Sequence, residues 1–274
     1  MSRLKNYSGR NVLITGASSG IGRLLALRIA AKGARVALVA RRRDELEALE
    51  EEIRAGGGEA VVLVCDVTDR EQALAAAGRA LEKLGSIDLL VNNAGYGRHC
   101  RFLDWDLDDM ERMMRVNYLG TLYFTKALLP AMVEAGRGWL VFVASAAGRI
   151  APGDETAYAA SKHAMVGLAS ALSLEVEDAG VHVLTVCPGA INTPLFDEEA
   201  LARLPEVARK RMAEPEDLVD AIVDALARGR RELTFPRWIA TAYVAQALAP
   251  SFTRRQVKKH TVIDHLDDGH EDDV

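Results

Sequence analysis

Residues 12–22 read VLITGASSGIG, and this stretch decides the fold. The apolar run at residues 12–15 is typical of a buried strand, and the residues after the glycines have the apolar spacing of a helix. Glycines at such a turn permit close approach of the backbone to a ligand, and the amides that open a helix attract phosphate. The stretch therefore predicts a dinucleotide-binding loop, although glycines also serve purely to shape turns. The predicted loop residues are Gly16, Ser18, Ser19, Gly20, Ile21 and Gly22.

Short β-branched runs alternate along the whole chain with longer stretches of helical periodicity. Strands joined by helical crossovers pair in parallel, and helices cover both faces of such a sheet. The pattern predicts an α/β fold, a doubly wound Rossmann fold with a seven-stranded parallel sheet and helices on both faces. The predicted strands span residues 11–15, 35–40, 60–66, 88–95, 139–145, 181–189 and 232–236, and the predicted helices span 21–31, 44–55, 71–84, 107–134, 155–178 and 215–228.

No linker or repeat divides the chain before its C-terminal part. We predict one Rossmann domain over residues 1–235, an apolar helical extension with a basic flank over 236–260, and an acidic, disordered tail over 261–274. The loop at 190–214 and the segments after residue 235 lie outside the alternating pattern. Individual properties of this protein are expected there.

Composition excludes several classes of protein. The chain has 274 residues, 49% of them hydrophobic, with a net charge of −5 and a pI of about 5.8, which argues against a nucleic-acid binder. Its three cysteines have no CxxC spacing, which predicts neither disulfides nor a zinc site, and we expect no bound metal. The N-terminus does not resemble a signal peptide, and residues 238–249 are too few to cross a bilayer. We therefore expect a cytoplasmic protein.

The GxxxGxG spacing of the loop, together with VNNAG at residues 91–95, resembles the short-chain dehydrogenase/reductase family. The pattern spans residues 10 to about 235. In that family a Ser, a Tyr thirteen positions later, a Lys four after the Tyr and an upstream helical Asn form the catalytic set. Ser145, Tyr158, Lys162 and Asn117 match these places, and the resemblance implies that they are the catalytic residues.

The end of the second predicted strand bears on the choice of cofactor. An acidic residue there would bind the adenosine ribose of NAD, but this chain has Ala40 followed by Arg41, Arg42 and Arg43. The resemblance assigns Arg41 to the 2′-phosphate of NADP(H), with Ser18 nearby and Arg42 assisting, and the planar guanidinium suits a phosphate. The alternative is that the arginines form a solvated helix start, which is our interpretation of Arg43.

Further cofactor contacts are implied by the resemblance alone. It places Asp66 and Val67 at the adenine, Asn93, Ala94 and Gly95 at the ribose, and Lys162 at the nicotinamide ribose. It places the PGxxxT element, with Pro188, Gly189, Ile191 and Thr193, at the nicotinamide carboxamide, and Tyr158 belongs to the same set. Asp66 is also suited to cap the next helix, Asn93 to brace strands, and the PG pair to make an ordinary turn.

Hydride transfer to a carbonyl carbon leaves negative charge on oxygen, so the site must supply a proton there. Lys162 lies on the same helical face as Tyr158, and we expect its ammonium to lower the pKa of the phenol. Ser145 is placed to polarise the substrate oxygen, and the resemblance gives Asn117 a water that relays protons from the lysine. The sequence predicts an NADP(H)-dependent oxidoreductase that reduces an apolar carbonyl. The alternatives are an NAD-dependent alcohol dehydrogenase, a nucleotide-dependent epimerase or lyase, and a non-catalytic dinucleotide sensor or scaffold.

Substrate and partner contacts are predicted in less detail. Leu195, Phe196 and Ile150 suggest an apolar substrate, and His99, beside Cys100, is interpreted as a surface hydrogen-bonding residue. The resemblance implies a homodimer or homotetramer joined through the 107–134 and 155–178 helices. The segment 235–259 predicts a short helix that ends at Pro250 and carries basic residues beside it. It either packs on the domain or a sister subunit, or lies at a membrane surface.

Overall fold

The computed structural model describes residues 3–194, 201, 204 and 206–261. Its centre is a seven-stranded sheet in the order β3-β2-β1-β4-β5-β6-β7, in which every neighbouring pair is parallel. This confirms the predicted doubly wound Rossmann fold. The strands are β1 (Asn11–Thr15), β2 (Arg35–Ala40), β3 (Glu59–Val64), β4 (Leu89–Asn92), β5 (Gly138–Val143), β6 (Val181–Pro188) and β7 (Glu232–Phe235).

Strand order reverses between β1 and β4, because the chain first runs outward to β3 and then returns beside β1. At such a point the crossovers on either side leave the sheet in opposite directions, which opens a crevice at the carboxyl ends of the strands. The glycine-rich loop follows β1, and the NNAG residues follow β4. The fold therefore brings these two motifs to one edge of the sheet.

Helices bury both faces of the sheet. Successive residues of a strand alternate between the two faces, so Val12 and Ile14 join one core cluster and Leu13 joins the other. The helices are α1 (Gly20–Ala30), α2 (Arg43–Ala55), α3 (Arg70–Leu84), α4 (Leu107–Met114), α5 (Gly120–Glu134), α6 (Thr156–Val176), α7 (Glu206–Arg209), α8 (Pro215–Arg228), α9 (Ala240–Leu248) and α10 (Pro250–His260).

The predicted single helix over 107–134 is wrong in one respect, because a π-helical turn at Arg115–Leu119 separates α4 from α5. Apolar periodicity continues through such a turn, so the pattern of residues does not reveal it. The turn contains Asn117, whose side chain is fully buried. In this π-helical turn, the Asn117 side chain makes hydrogen bonds to residues that are distant in sequence.

The segment after β7 also differs from the prediction of one short helix. A 3₁₀ turn at Arg237–Ile239 leads into α9, which ends at Leu248, but Pro250 then begins a second helix, α10. Proline is tolerated at the first helical position because the amide there needs no intrahelical partner. Of the basic residues predicted as a flank, Arg237 lies in the 3₁₀ turn, and the others, Arg254, Arg255, Lys258 and Lys259, lie on α10.

Two other predictions lie outside the described residues: the apolar contacts of Leu195 and Phe196, and the acidic tail beyond Thr261. Among the helices of the described ranges, none has both the length and the hydrophobicity needed to cross a membrane.

Candidate active site

The carboxyl edge of the sheet opens into a cavity of about 1070 Å³. It begins beside the end of β2, passes the glycine-rich loop and continues to the N-terminal end of α6. Gly22 and Asn117 lie behind its wall. The other predicted site residues line it: Gly16, Ser18, Ser19, Gly20, Ile21, Arg41, Arg42, Asp66, Val67, Asn93, Ala94, Gly95, Ser145, Tyr158, Lys162, Pro188, Gly189, Ile191 and Thr193.

The glycine-rich loop has the geometry that a pyrophosphate site needs. Gly16 has φ +67° and Gly20 has φ +53°, left-handed conformations that favour glycine. A Cβ atom at Gly22 would lie 2.4 Å from the carbonyl oxygen of Gly16, so α1 packs against the loop without room for a side chain. The loop backbone therefore reaches the cavity with the amino end of α1 beside it, which fits a dinucleotide.

Two guanidinium groups line the cavity at the end of β2. Arg41 and Arg42 are both exposed, and Arg42 Nη2 donates to Ser18 Oγ at 3.0 Å. Arg42 thus contacts Ser18 directly, and Arg41 lines the same end of the cavity. Arg43 instead pairs with Glu47 on the surface of α2 at 3.2 Å, as expected for a solvated residue. Arg41 and Arg42 therefore place two cationic side chains at the β2 end of the cavity.

Asp66 lies at the same end of the cavity. Its Oδ1 accepts hydrogen bonds from the backbone amide and the hydroxyl of Thr68, at 3.0 and 2.9 Å. Asp69, and not Asp66, caps α3, because its carboxylate accepts from the amides of Glu71 and Gln72. The alternative interpretation of Asp66 as the helix cap is therefore wrong, and its carboxylate is held beside the cavity by a local turn.

Asn93 braces the floor of the cavity. Its Nδ2 donates to the carbonyl oxygen of Thr15 at 2.9 Å, and its backbone amide donates to Thr15 Oγ1 at 3.0 Å. These bonds hold the end of β4 against the end of β1. Asn93 therefore both braces the two strands and lines the cavity.

The Ser, Tyr and Lys of the predicted catalytic set meet at the far end of the cavity. Ser145 follows β5 and begins a 3₁₀ turn, where its Oγ accepts from the amide of Ala147 at 3.1 Å. Tyr158 and Lys162 lie one turn apart on α6. Lys162 Nζ donates to the carbonyl oxygen of Val143 at 3.0 Å and lies 5.6 Å from the centre of the Tyr158 ring.

Asn117 completes the set from behind the cavity. Its Nδ2 donates to the carbonyl oxygen of Tyr96 at 3.0 Å and to Ser161 Oγ at 2.9 Å, while its Oδ1 accepts from the amide of Tyr96 at 3.0 Å. The amide group therefore ties the chain after β4 to α6. A Cβ atom at Gly95 would lie 3.1 Å from Asn117 Oδ1 and 3.3 Å from Lys162 Nζ, so glycine permits this close approach.

Burial dominates the electrostatics of the site. It lowers the pKa of Lys162 to about 8, because the charged ammonium loses solvation. It raises the pKa of Tyr158 above its usual range, and the opposing effect of the hydrogen bond with Ser145 is smaller. The expected net lowering of the phenol pKa is wrong in this structure, because burial outweighs any effect of the Lys162 ammonium. Tyr158 is therefore protonated at neutral pH and is suited to donate a proton.

Three ionisable residues at this end were missed or misjudged from the sequence. The His99 side chain is only 7% exposed, with Nδ1 3.3 Å from Asp154 Oδ2 and Nε2 3.5 Å from Glu155 Oε1. The interpretation of His99 as a surface residue is therefore wrong. His99 and Glu155 both line the cavity. The available signal was the position of Glu155, three residues before Tyr158 on the same helical face.

The C-terminal elements form one wall of the cavity on the substrate side. The 3₁₀ turn after β7 and the helix α9 supply mostly apolar side chains, and a Cβ atom at Gly189 would lie 2.4 Å from Ile239 Cδ1. Other side chains of α9 and α10 face solvent, including Leu248 and Phe252, which are 81% and 56% exposed. The lining residues from this part of the chain are Trp238, Ile239, Ala242, Tyr243, Thr253, Gln256, Val257 and Thr261.

Known proteins resemble this chain over most of its length. Residues 10–203 match the family model described as short chain dehydrogenase. Oxidoreductase UcpA of Escherichia coli is 40% identical over 200 residues, which cover 73% of this chain and 76% of that protein. Epidermal retinol dehydrogenase 2 of Mus musculus is 33% identical over 271 residues, covering 97% and 86%.

Two further comparisons differ in how much of the relative they cover. Glycine betaine reductase ATRR of Emericella nidulans is 38% identical over 80% of this chain, but the match covers only 18% of that protein. The crystal structure of a short-chain type dehydrogenase/reductase from Mycobacterium marinum superposes with a TM-score of 0.75 at 33% identity, covering 84% of this chain and 94% of the other. This chain therefore belongs to the short-chain dehydrogenase/reductase family and is an oxidoreductase that uses a nicotinamide cofactor, NAD or NADP.

Proposed function

We propose that this protein is an NADP(H)-dependent reductase of carbonyl groups on predominantly apolar substrates. The observation that carries the proposal is that Tyr158, Ser145 and Lys162 meet at the end of a cavity that also reaches the glycine-rich loop. A phenol that keeps its proton at neutral pH is suited to the reductive direction. In that direction the substrate oxygen must gain a proton.

The family resemblance and the lining of the cavity together support a set of residues that would hold the cofactor. The backbone of the glycine-rich loop suits the pyrophosphate, and Arg41, Arg42 and Ser18 suit the 2′-phosphate that distinguishes NADP(H) from NAD(H). The family resemblance assigns Asp66 to the adenine and Lys162 to the nicotinamide ribose, and both residues line the cavity. When bound, the nicotinamide supplies the hydride for the reaction.

The chain's own groups act on the substrate oxygen. The Ser145 hydroxyl hydrogen-bonds to the carbonyl oxygen and holds it near Tyr158. As negative charge develops on that oxygen, the Tyr158 hydroxyl donates its proton. The Lys162 ammonium, buried next to the ring, stabilises the phenolate that remains. Asn117 keeps α6 in register with the chain after β4, and it is a positioning residue.

The substrate class is supported by the wall of the cavity. Ile150, Trp238, Ile239 and Tyr243 line its substrate side and present mostly apolar surface. Such a wall favours an apolar body, because burial of apolar surface drives binding. The name of the mouse relative assigns it retinol, an apolar alcohol, as its substrate. We therefore place long-chain ketones and aldehydes first among the candidate substrates.

The proposal is tested by following NADPH absorbance with a series of ketones and aldehydes of increasing chain length. Tyr158→Phe should lower kcat by roughly 100- to 10,000-fold, since it removes the proton donor and keeps the ring. The control is Tyr123→Phe, on a tyrosine that packs against the core away from the cavity and should retain wild-type rate. A Tyr158→Phe enzyme as fast as the control, or no turnover of any carbonyl, would contradict the proposal.

A further inference from the structure

A carboxyl group lies on the substrate side of the cavity, three residues before Tyr158. Glu155 lines the cavity, and its side chain is only 15% exposed. Burial raises its pKa to about 7, Asp154 acts in the same direction, and His99 opposes them. Burying a carboxyl group is unfavourable unless its environment compensates, so this glutamate calls for an explanation.

Helix formation does not explain Glu155. It occupies the N-cap position of α6, but its side chain makes no capping hydrogen bond. Ser, Thr, Asp and Asn are the residues that cap helices well, because their short side chains reach the amides of the first turn. The glutamate side chain is therefore available to the cavity and is not used by the helix that it begins.

His99 and Asp154 hold this carboxyl group in place. The imidazole lies between the two carboxylates, 3.3 Å from Asp154 Oδ2 and 3.5 Å from Glu155 Oε1. Asp154 lies behind the cavity wall with φ 51°, a left-handed conformation that is costly for a residue other than glycine. Its carbonyl oxygen accepts from the amide of Cys100 at 2.7 Å, which ties the two loops together. The result is a carboxyl group held beside Tyr158 by contacts from two loops.

We propose that Glu155, oriented by His99, binds a hydrogen-bond donor that the substrate carries close to its reacting carbonyl. The donor is a hydroxyl or an ammonium group, and this inference rests on the proposed carbonyl reduction. Glu155 and Tyr158 line the same end of the cavity, and the Glu155 carboxyl group lies close enough to the phenol to raise its pKa. A donor on the first or second carbon beside the carbonyl would therefore lie near Glu155 while the carbonyl oxygen meets Tyr158. The substrate class is therefore hydroxy ketones or amino ketones with an apolar chain.

The test compares 2-decanone, 1-hydroxy-2-decanone and 1-amino-2-decanone as substrates with NADPH. Assayed above the pKa of Glu155, where its carboxyl group is mostly ionised, the wild-type protein should show a kcat/KM at least roughly tenfold higher for one or both of the donor-bearing ketones than for 2-decanone, the scale of a hydrogen bond to a charged group. Glu155→Gln should reduce that ratio by about tenfold, more for the ammonium than for the hydroxyl. The hydroxy and amino ketones identify which donor is bound.

Glu175→Gln is the matched control, because it makes the same change on the exposed surface of α6 and should keep the wild-type ratio. His99→Asn tests positioning: it should lower the ratio through KM rather than kcat. Binding of the three ketones to the NADP⁺ complex is measured in parallel by calorimetry. This measurement separates the role of Glu155 in binding from the proposed carbonyl reduction. Lack of turnover with preferential binding of a donor-bearing ketone would reject only carbonyl reduction. Equal binding of all three ketones by the wild-type protein, or an unchanged ratio in Glu155→Gln, would overturn the role of Glu155.

Discussion

Replacement of the two arginines after β2 tests the choice between NADP(H) and NAD(H). Arg41 and Arg42 line the adenosine end of the cavity, and Arg42 donates to Ser18 Oγ at 3.0 Å. A hydrogen bond to a charged group is worth about 1.5–3 kcal/mol. Because both guanidinium groups are exposed, solvent screening favours the lower end, about 1.5 kcal/mol each. That energy corresponds to roughly a tenfold change in Kd for NADPH.

The assay is a titration of each variant with NADPH and with NADH at fixed ionic strength. Arg41→Ala and Arg42→Ala should each weaken NADPH binding about tenfold and change NADH binding by less than about twofold, since NADH has no 2′-phosphate. Arg41→Asp should go further by repelling the phosphate, so that the preference falls or inverts. Arg43→Ala is the matched control, because Arg43 pairs with Glu47 on the surface. A parallel loss for both cofactors, or an equal loss in the control, would refute selection through the 2′-phosphate.

Three further outcomes are expected. The ammonium of Lys162 exists below its pKa of about 8, so kcat/KM should fall as the pH rises through that value, and a flat pH profile would contradict a role for the ammonium. Lys162→Ala should lose both rate and cofactor affinity. Gly22→Ala should lower the free energy of unfolding by about 1–3 kcal/mol in denaturant titrations, because its Cβ would meet the Gly16 carbonyl oxygen. The control is Gly78→Ala in α3, where the Cβ would meet open space and the change should be neutral or stabilising. Equal effects of the two variants would refute the packing argument. If the segment over 235–259 lies at a membrane surface rather than only packing on the domain or a sister subunit, the intact chain binds anionic vesicles better than neutral ones. Arg254→Glu with Lys258→Glu should then weaken that binding, and no binding to anionic vesicles at low salt would end the membrane interpretation.

Most of the fold was predictable because its signals are local. Strand boundaries differ from the predicted ones by a few residues at most, and the helix over Pro215–Arg228 begins and ends where predicted. Proline at its first position and Gly229 after its end, with φ +67°, are short-range signals of helix termini. The π-helical turn around Asn117 was not predictable, because local periodicity does not reveal it and the hydrogen-bond partners of Asn117, Tyr96 and Ser161, are distant in sequence.

The sequence by itself determined the Rossmann fold, the glycine-rich loop and the positions of Ser145, Tyr158 and Lys162, since each depends on residue types at short, regular spacing. Only the tertiary structure decided how those residues ionise and what surrounds them. His99 is far in sequence from Asp154 and Glu155, yet it lies within 3.3 and 3.5 Å of their carboxylates. Burial, and not the neighbouring lysine, dominates the pKa of Tyr158. Desolvation and distance through space set these properties, and neither can be read from the order of residues along a chain.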